Sequence, residues 1–288
     1  MKKLITLFLT AMMLSALFCT SAIAKGQKHK LSGKVSFGSD YYYRGISQTE
    51  SDKAIQAEIN YEHESGFYAG IWGGNIAGDS EYVNNYNSWT YGTDEGNLEI
   101  DLWTGYWTMV GPLELDLMAM YLYYPGNADA GLKADPNYDD WIKNEAEADY
   151  WEFHIGLAYS FDLPIYTHLS VGYDFSPDYW GEDGTGHHVN AVLELGLPYE
   201  FTMQLEAGYV NVEGDKQTGS DSTGYSYGVD GEDGFDYTYY RLGLSRDIFG
   251  LNVDVSYHLG MSEDDWVKEY YTYDAAGDQL ILTVSYSF

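Results

Sequence analysis

The sequence predicts an all-β protein, a closed antiparallel transmembrane β-barrel of about twelve strands with short periplasmic turns and long extracellular loops. Three observations support this. Apolar and polar residues alternate with period two through most of the chain, short and long connections alternate along it, and the last strand ends on Phe288.

The first residues stand apart from that pattern. Lys2 and Lys3 precede an apolar run from Leu4 to Phe18, and Ala22-Ile23-Ala24 is a small-x-small cleavage signal. These are the three parts of a secretory signal peptide, so residues 1–24 are expected to be removed and 25–288 to form the barrel. Cys19, the one cysteine, lies in the leader; a lipoprotein reading competes, but Phe18 fits a lipobox poorly. A mature chain without thiols has no disulfides and no cysteine catalysis. Beyond the leader there is no run of about 18 apolar residues, as a membrane-spanning helix requires.

Period two is the mark of strands whose two faces meet different surroundings. Leu98, Ile100, Leu102, Thr104 and Tyr106 alternate with Glu99, Asp101, Trp103 and Gly105; Leu113, Leu115, Leu117, Ala119 and Tyr121 alternate with Glu114 and Asp116 among others. Leu251 to Leu259 does the same around Asn252, Asp254, Ser256 and His258. A carboxylate at every second residue beside leucines requires one face in grease and the other in water. The segments so marked are 32–43, 53–62, 66–76, 97–107, 112–124, 150–161, 164–175, 187–197, 200–211, 236–246, 249–260 and 279–288. Each is near the roughly 9–11 residues with which a tilted strand crosses a bilayer.

The connections give an independent signal. Tight turns at 63–65, 108–111, 162–163, 198–199 and 247–248 alternate with longer polar stretches at 77–96, 125–149, 176–186, 211–235 and 261–278. Outer-membrane barrels segregate short turns to one rim and long loops to the other, with an even strand count and both termini in the periplasm. A soluble β-sandwich also alternates its strands but has no reason to segregate its loops. In the last strand Leu280, Leu282, Val284, Tyr286 and Phe288 fall at every second position, which resembles the C-terminal signal recognised by the outer-membrane assembly machinery. That machinery, outer-membrane lipid and lipopolysaccharide are therefore expected partners.

Composition agrees. Aromatics make up 17% of the chain, with 30 Tyr and 32 Gly against 6 Pro, which suits long strands and interfacial girdles. Girdle positions are expected at Tyr41 to Tyr43, Tyr121 to Tyr124 and Tyr237 to Tyr240 on the outer rim, and at Trp107, Phe161 and Phe249 on the inner one; a carbohydrate-binding surface would use the same residue types. The formal charge is −31 and becomes more negative when Lys2 and Lys3 leave with the leader. Nucleic-acid binding needs clustered Lys and Arg and is a poor reading.

The segment Ser39-Asp40-Tyr41-Tyr42-Tyr43-Arg44-Gly45-Ile46-Ser47-Gln48-Thr49, followed by Ala54-Ile55-Gln56, Ile59-Asn60-Tyr61 and Ser65 to Trp72, resembles the signature of the TorF family of porins. The specific part spans about residues 35–76. The resemblance implies a signal peptide, an outer-membrane barrel and a channel role; it implies no substrate, no cofactor and no catalytic residue. Physically, strand one is expected to place Asp40 and Arg44 on one face at its outer end. There they would either shape the pore mouth or form an intra-barrel ion pair that anchors Gly45 to Thr49 against the lumen wall. Gly66 suits a tight turn, and Gly70, Gly73 and Gly74 suit close strand packing.

With the apolar set facing lipid, the interior set holds Glu58, Glu99, Asp101, Glu114, Asp116, Glu152, Asp174, Glu194, Glu206 and Asp254, opposed by Lys34, Arg44 and Arg241. Carboxylates that outnumber bases in a narrow passage favour cations, so small hydrophilic solutes with a cation bias are the expected cargo. The bland alternative is a solvated interior, or a non-conducting structural or adhesin-like barrel with acidic loops. Twelve strands lie between a filled small barrel and a wide porin, and inward Tyr68, Trp72 and Trp103 would narrow the bore. An enzyme reading would rest on His154 and His168, inward on neighbouring strands, but no G-x-S-x-G nucleophile motif accompanies them. Metal sites at His187-His188 with Glu182 and Asp183, at Glu263-Asp264-Asp265 or at 230–233 match no spaced Ca²⁺ loop, so no metal or cofactor is expected beyond diffuse association of divalent ions with acidic loops.

Overall fold

Alternation along each segment leaves a ladder of backbone N–H and C=O groups that only a neighbouring strand can satisfy, and in hydrocarbon only closure removes the last open edge. The computed structural model describes residues 28–77, 82–84, 89–91, 97–125, 149–179, 184–213, 219–220, 226–227, 235–261 and 277–288. These form twelve barrel strands: β1 His29–Gly38, β2 Ala54–His63, β3 Phe67–Asn75, β4 Leu98–Val110, β5 Leu113–Tyr123, β6 Tyr150–Phe161, β7 Thr167–Ser176, β8 Gly186–Leu197, β9 Phe201–Val212, β10 Phe235–Ile248, β11 Leu251–Met261 and β12 Gln279–Ser287. Every strand pairs antiparallel with its neighbours in sequence, and β1 pairs with β12 to close the barrel. No described helix is long and apolar enough to cross a membrane, which for a barrel is no constraint.

Closure depends on the end of the chain. Lys34 lies opposite Ser287 and Val35 opposite Tyr286. Beyond β12, Phe288 exchanges backbone hydrogen bonds with Gly33 at 2.9 and 3.0 Å. Its aromatic ring occupies the space a Cβ on Gly33 would need. Both described ends of the barrel therefore lie on the rim that carries the short turns.

The two faces differ as the alternation requires. Leu102, Leu117, Phe153, Ile155, Leu157, Val171, Leu205, Leu242, Val255 and Leu282 are exposed on the outside, while their sequence neighbours turn inward. An apolar outer belt of this extent has no counterpart on a water-soluble monomer. At the short-turn rim Trp107, Phe161 and Phe249 are exposed beside it.

Two differences from the sequence-based expectation matter. The seventh segment starts at Thr167 rather than residue 164, because Pro164 has no N–H to give the ladder. The first strand ends at Gly38 rather than at residue 43. The chain then leaves the wall and folds back into the lumen as a small hairpin, in which Tyr42 pairs with Ser47 and Tyr43 with Ile46. The leader (1–24), Glu182 and Asp183, and the acidic stretches 230–233 and 263–265 lie outside the described residues.

Candidate functional site

The inward hairpin defines the site. Its two-residue tip, Arg44-Gly45, has φ of 49° and 83°, the pairing demanded by the tight turn whose twist matches its strands. Gly45 is required here: a Cβ would lie 2.4 Å from the Cβ of Tyr239. Arg44 carries the strain of a left-handed backbone, of order 1 kcal/mol. Its side chain offsets that strain by what it reaches.

Arg44 crosses to the opposite wall. Its guanidinium is bidentate to Glu152 of β6, with both contacts at 2.7 Å, and also donates to Asp174 of β7 at 3.1 Å. All three residues are buried, at 8%, 2% and 7% exposure. Asp174 takes two further bonds, from His154 Nδ1 at 2.5 Å and from His188 Nδ1 at 2.6 Å. His188 Nε2 meets the Tyr239 hydroxyl at 2.9 Å, and that hydroxyl donates to Glu206 at 2.9 Å. Five strands, β6 to β10, are thereby tied to one arginine on a loop.

Apolar contacts hold the other side of the hairpin. Ile46 packs with Val210, Val212, Tyr237 and Tyr239 from β9 and β10. At its base Asp40 accepts hydrogen bonds from Ser47 Oγ at 2.7 Å and Thr49 Oγ1 at 2.6 Å, which close the loop on itself. Burial pushes the Asp40 carboxyl above its usual range, although those two hydrogen bonds pull the other way. Its second oxygen is buried without a partner. Tyr41 packs on Trp72 at 5.2 Å between ring centres, and the Tyr42 ring lies 4.7 Å from that of His258.

Positions expected to line the interior divide by height. Near the long-loop rim, Glu99 accepts from Tyr124 at 3.0 Å while its other oxygen and one oxygen of Asp101 are buried without partners. Lower down, Asp116 accepts from Tyr68 at 2.6 Å. Glu58 lies 3.6 Å from Lys34, and Arg241 bonds Asp254 at 2.8 Å and also Gln204. Glu114 and Glu194 face the same side as Asp116 and His168 in the paired register, on half-buried strands near the short turns. Two of the bulky inward rings pack against glycines of the adjoining strand. Trp103 occupies the space a Cβ on Gly70 would need, and Tyr68 that of Gly105.

Asp40 and Arg44 require a correction. They do not share a strand face at the pore mouth, because both belong to the inward loop. Tyr41 to Tyr43 leave the outer girdle for the same reason, and Tyr124, Tyr237 and Tyr239 are buried inward while Tyr123 and Tyr240 stay outside. Period two places a residue on a face but carries no information about where a strand stops and its loop turns in. His154 and His168, candidates for a joint site, take different partners: His154 binds Asp174 and His168 meets Ser160 Oγ at 3.0 Å. Sequence reasoning gave His188 only as a possible metal ligand, Tyr239 as a girdle residue and His258 only as an inward strand position; the run of polar and aromatic residues at inward positions near the loop rim is the signal that could have joined them.

Beneath the hairpin is a chamber of about 420 Å³ lined by Arg44, Met118, Met120, Glu206, Tyr239 and Arg241 among others. A family model described as "Bacterial protein of unknown function (Gcw_chp)" matches residues 22–288. The chain belongs to the Gcw_chp family. That name, and not TorF, is the one the match supplies. No curated protein matches the sequence. Among solved structures, a KdgM porin aligns over 89% of this Gcw_chp chain and 99% of its own, at 8% identity and a TM-score of 0.48. A NanC porin covers 89% and 98%, at 7% identity and 0.46. An outer membrane channel from Pseudomonas putida F1 covers 92% and 98%, at 12% identity and 0.44. Strand count and closure in the Gcw_chp chain rest on its own backbone pairing.

Proposed function

We propose that this chain is an outer-membrane porin that gives small hydrophilic solutes passive passage, with a bias toward cations. The observation that supports it is the polar chamber inside a closed, externally apolar barrel, with more carboxylates than bases on its inner wall. Lys34, Arg44 and Arg241 are each paired with an acid, which leaves Asp101, Glu114, Asp116, Glu194 and Glu206 to set the sign of the field. The inward hairpin is the constriction in this reading. The short-turn rim would face the periplasm with both termini, the long loops would meet lipopolysaccharide, and the alternating last strand through Phe288 would engage the assembly machinery after removal of the leader. Membership of the TorF group of porins belongs to the same proposal and rests on the Ser39–Thr49 segment.

Purified barrel in planar bilayers under a salt gradient tests this. Discrete conductance with a cation-side reversal potential is expected; silence or anion selectivity overturns it.

A second reading has its own support: the buried hairpin, bolted across the lumen, suits a non-conducting structural or adhesin-like barrel whose acidic loops associate with divalent ions. Deleting residues 79–94 or 212–233 separates the two, since loss of surface association with intact solute passage favours the second. No catalytic role is proposed, and His154→Ala leaves solute passage as the property to measure.

A further inference from the structure

We infer that the chamber beneath the hairpin is a binding subsite for a small organic ammonium ion, with Glu206 as its counter-ion. This names the solute class for the channel proposed above and rests on that reading for how the ligand arrives.

The argument begins with charge. Three carboxylates line the chamber: Glu152, Asp174 and Glu206. Glu152 and Asp174 are both ion-paired with Arg44. Glu206 lies directly opposite Arg241 across the β9–β10 ladder, the position where an ion pair would be expected. Yet Arg241 turns away to Asp254 and Gln204, and its guanidinium lies over Gly243. Glu206 receives only the neutral Tyr239 hydroxyl. It is thus the one chamber carboxylate that, among the described residues, has no basic partner. An acid that is held by a neutral donor and passed over by the adjacent arginine is suited to a cation from solution.

The walls decide what kind of cation. Along β5 the inward row runs Glu114, Asp116, Met118 and Met120, so acids give way to thioethers where the strand enters the chamber. Tyr42, Tyr43 and Tyr239 add aromatic surface, and Asn190 and Gln204 add neutral hydrogen-bonding groups. A bare metal ion needs several oxygen or nitrogen ligands at once, and no three His, Cys, Asp or Glu side chains among the described residues converge to hold one. Methionine and tyrosine surfaces beside a single carboxylate instead match an ammonium group with a compact apolar or aromatic body. The volume falls within the span of small-molecule sites, roughly 300–1,000 Å³.

The test uses three probes with one body and different charge: phenethylamine, 2-phenylethanol and 3-phenylpropionate. Each is titrated onto full-length barrel held in amphipol, and each is added to the barrel in planar bilayers carrying KCl current. Saturable binding and current block by phenethylamine alone are expected, with about tenfold or greater weakening in Glu206→Gln, the scale of one lost charge-assisted hydrogen bond. The heat-modifiable mobility of folded barrels checks that this near-isosteric variant is closed. Equal binding of 2-phenylethanol, or affinity unchanged in Glu206→Gln, overturns the inference. If the barrel carries no KCl current but binds phenethylamine through Glu206, the channel reading falls and the subsite stands.

Discussion

The two halves of the lumen use the same residue types to opposite ends. Toward the long loops, Glu99, Glu152, Asp174 and His188 are buried under the hairpin and hydrogen-bonded to side chains from distant parts of the chain. Toward the short turns, Glu58, Glu114 and Glu194 are partly open, and the Lys34–Glu58 pair keeps 43% and 24% of its side-chain surface exposed. A carboxylate in the lower half is a source of field, screened by salt. One in the upper half is a structural bolt, strong because water is excluded and costly when a partner is missing. What separates the halves is one inward loop of this chain.

Removing the bolt should give the largest effect. Arg44→Ala leaves Glu152 and Asp174 buried without their cation, a loss of about 3–5 kcal/mol for the docked hairpin. Faster proteolysis within residues 39–53 and a larger, noisier conductance are expected; unchanged current and protection would erase the contrast between the halves.

Glu99→Gln should act with the opposite sign. The Tyr124 bond remains available to the amide oxygen, and the neutral amide removes a buried carboxylate that has no basic partner among the described residues. Relief of that unpaired charge is worth about 1–3 kcal/mol. Denaturant unfolding followed by mobility shift should show a more resistant barrel, whereas a weaker one would mean that the ionised carboxylate is needed there.

In the lower half, Glu114→Gln with Glu194→Gln should leave stability nearly unchanged and reduce cation preference at low salt. The difference should fade toward 1 M salt, where charges beyond about 3 Å are screened. A stability loss as large as that of Arg44→Ala would place these acids in the bolted class.

The smallest effect concerns pH. Burial raises the Asp40 carboxyl above its usual value, so the docked loop holds that proton more tightly than the undocked one. Its contribution is therefore full at pH below the ordinary carboxylate range, near 4, and is lost as pH rises through the raised value. Protection factors across 39–53, with intrinsic exchange at each pH divided out, should be higher at pH 4 than at pH 7, and Asp40→Asn should flatten the difference.

Much of the barrel was legible beforehand because alternation is a local property. Leu113 to Tyr123 with inward Glu114 and Asp116, and Leu251 to Met261 with inward Asp254, are settled by period two alone. The segregation of short and long connections then decides antiparallel order and an even strand count. Where the periodic signal overran, at Asp40 to Arg44, the alternating tyrosines mimic a strand although the chain has already turned inward. Ser39-Asp40 and Arg44-Gly45 are local turn signals, but the direction of a loop relative to its barrel depends on partners more than a hundred residues away.

A closed barrel of about twelve strands, its apolar outside and an interior with too many acids for its bases can all be read from the chain, because faces and turns follow from neighbours a few residues apart. Which acids are bolted and which are free is settled by the fold. Arg44 reaches Glu152 and Asp174 across 108 and 130 residues of chain. Arg241 passes over the facing Glu206 for Asp254. Those choices are made by distance across a closed lumen, a quantity that exists only after β1 has met β12.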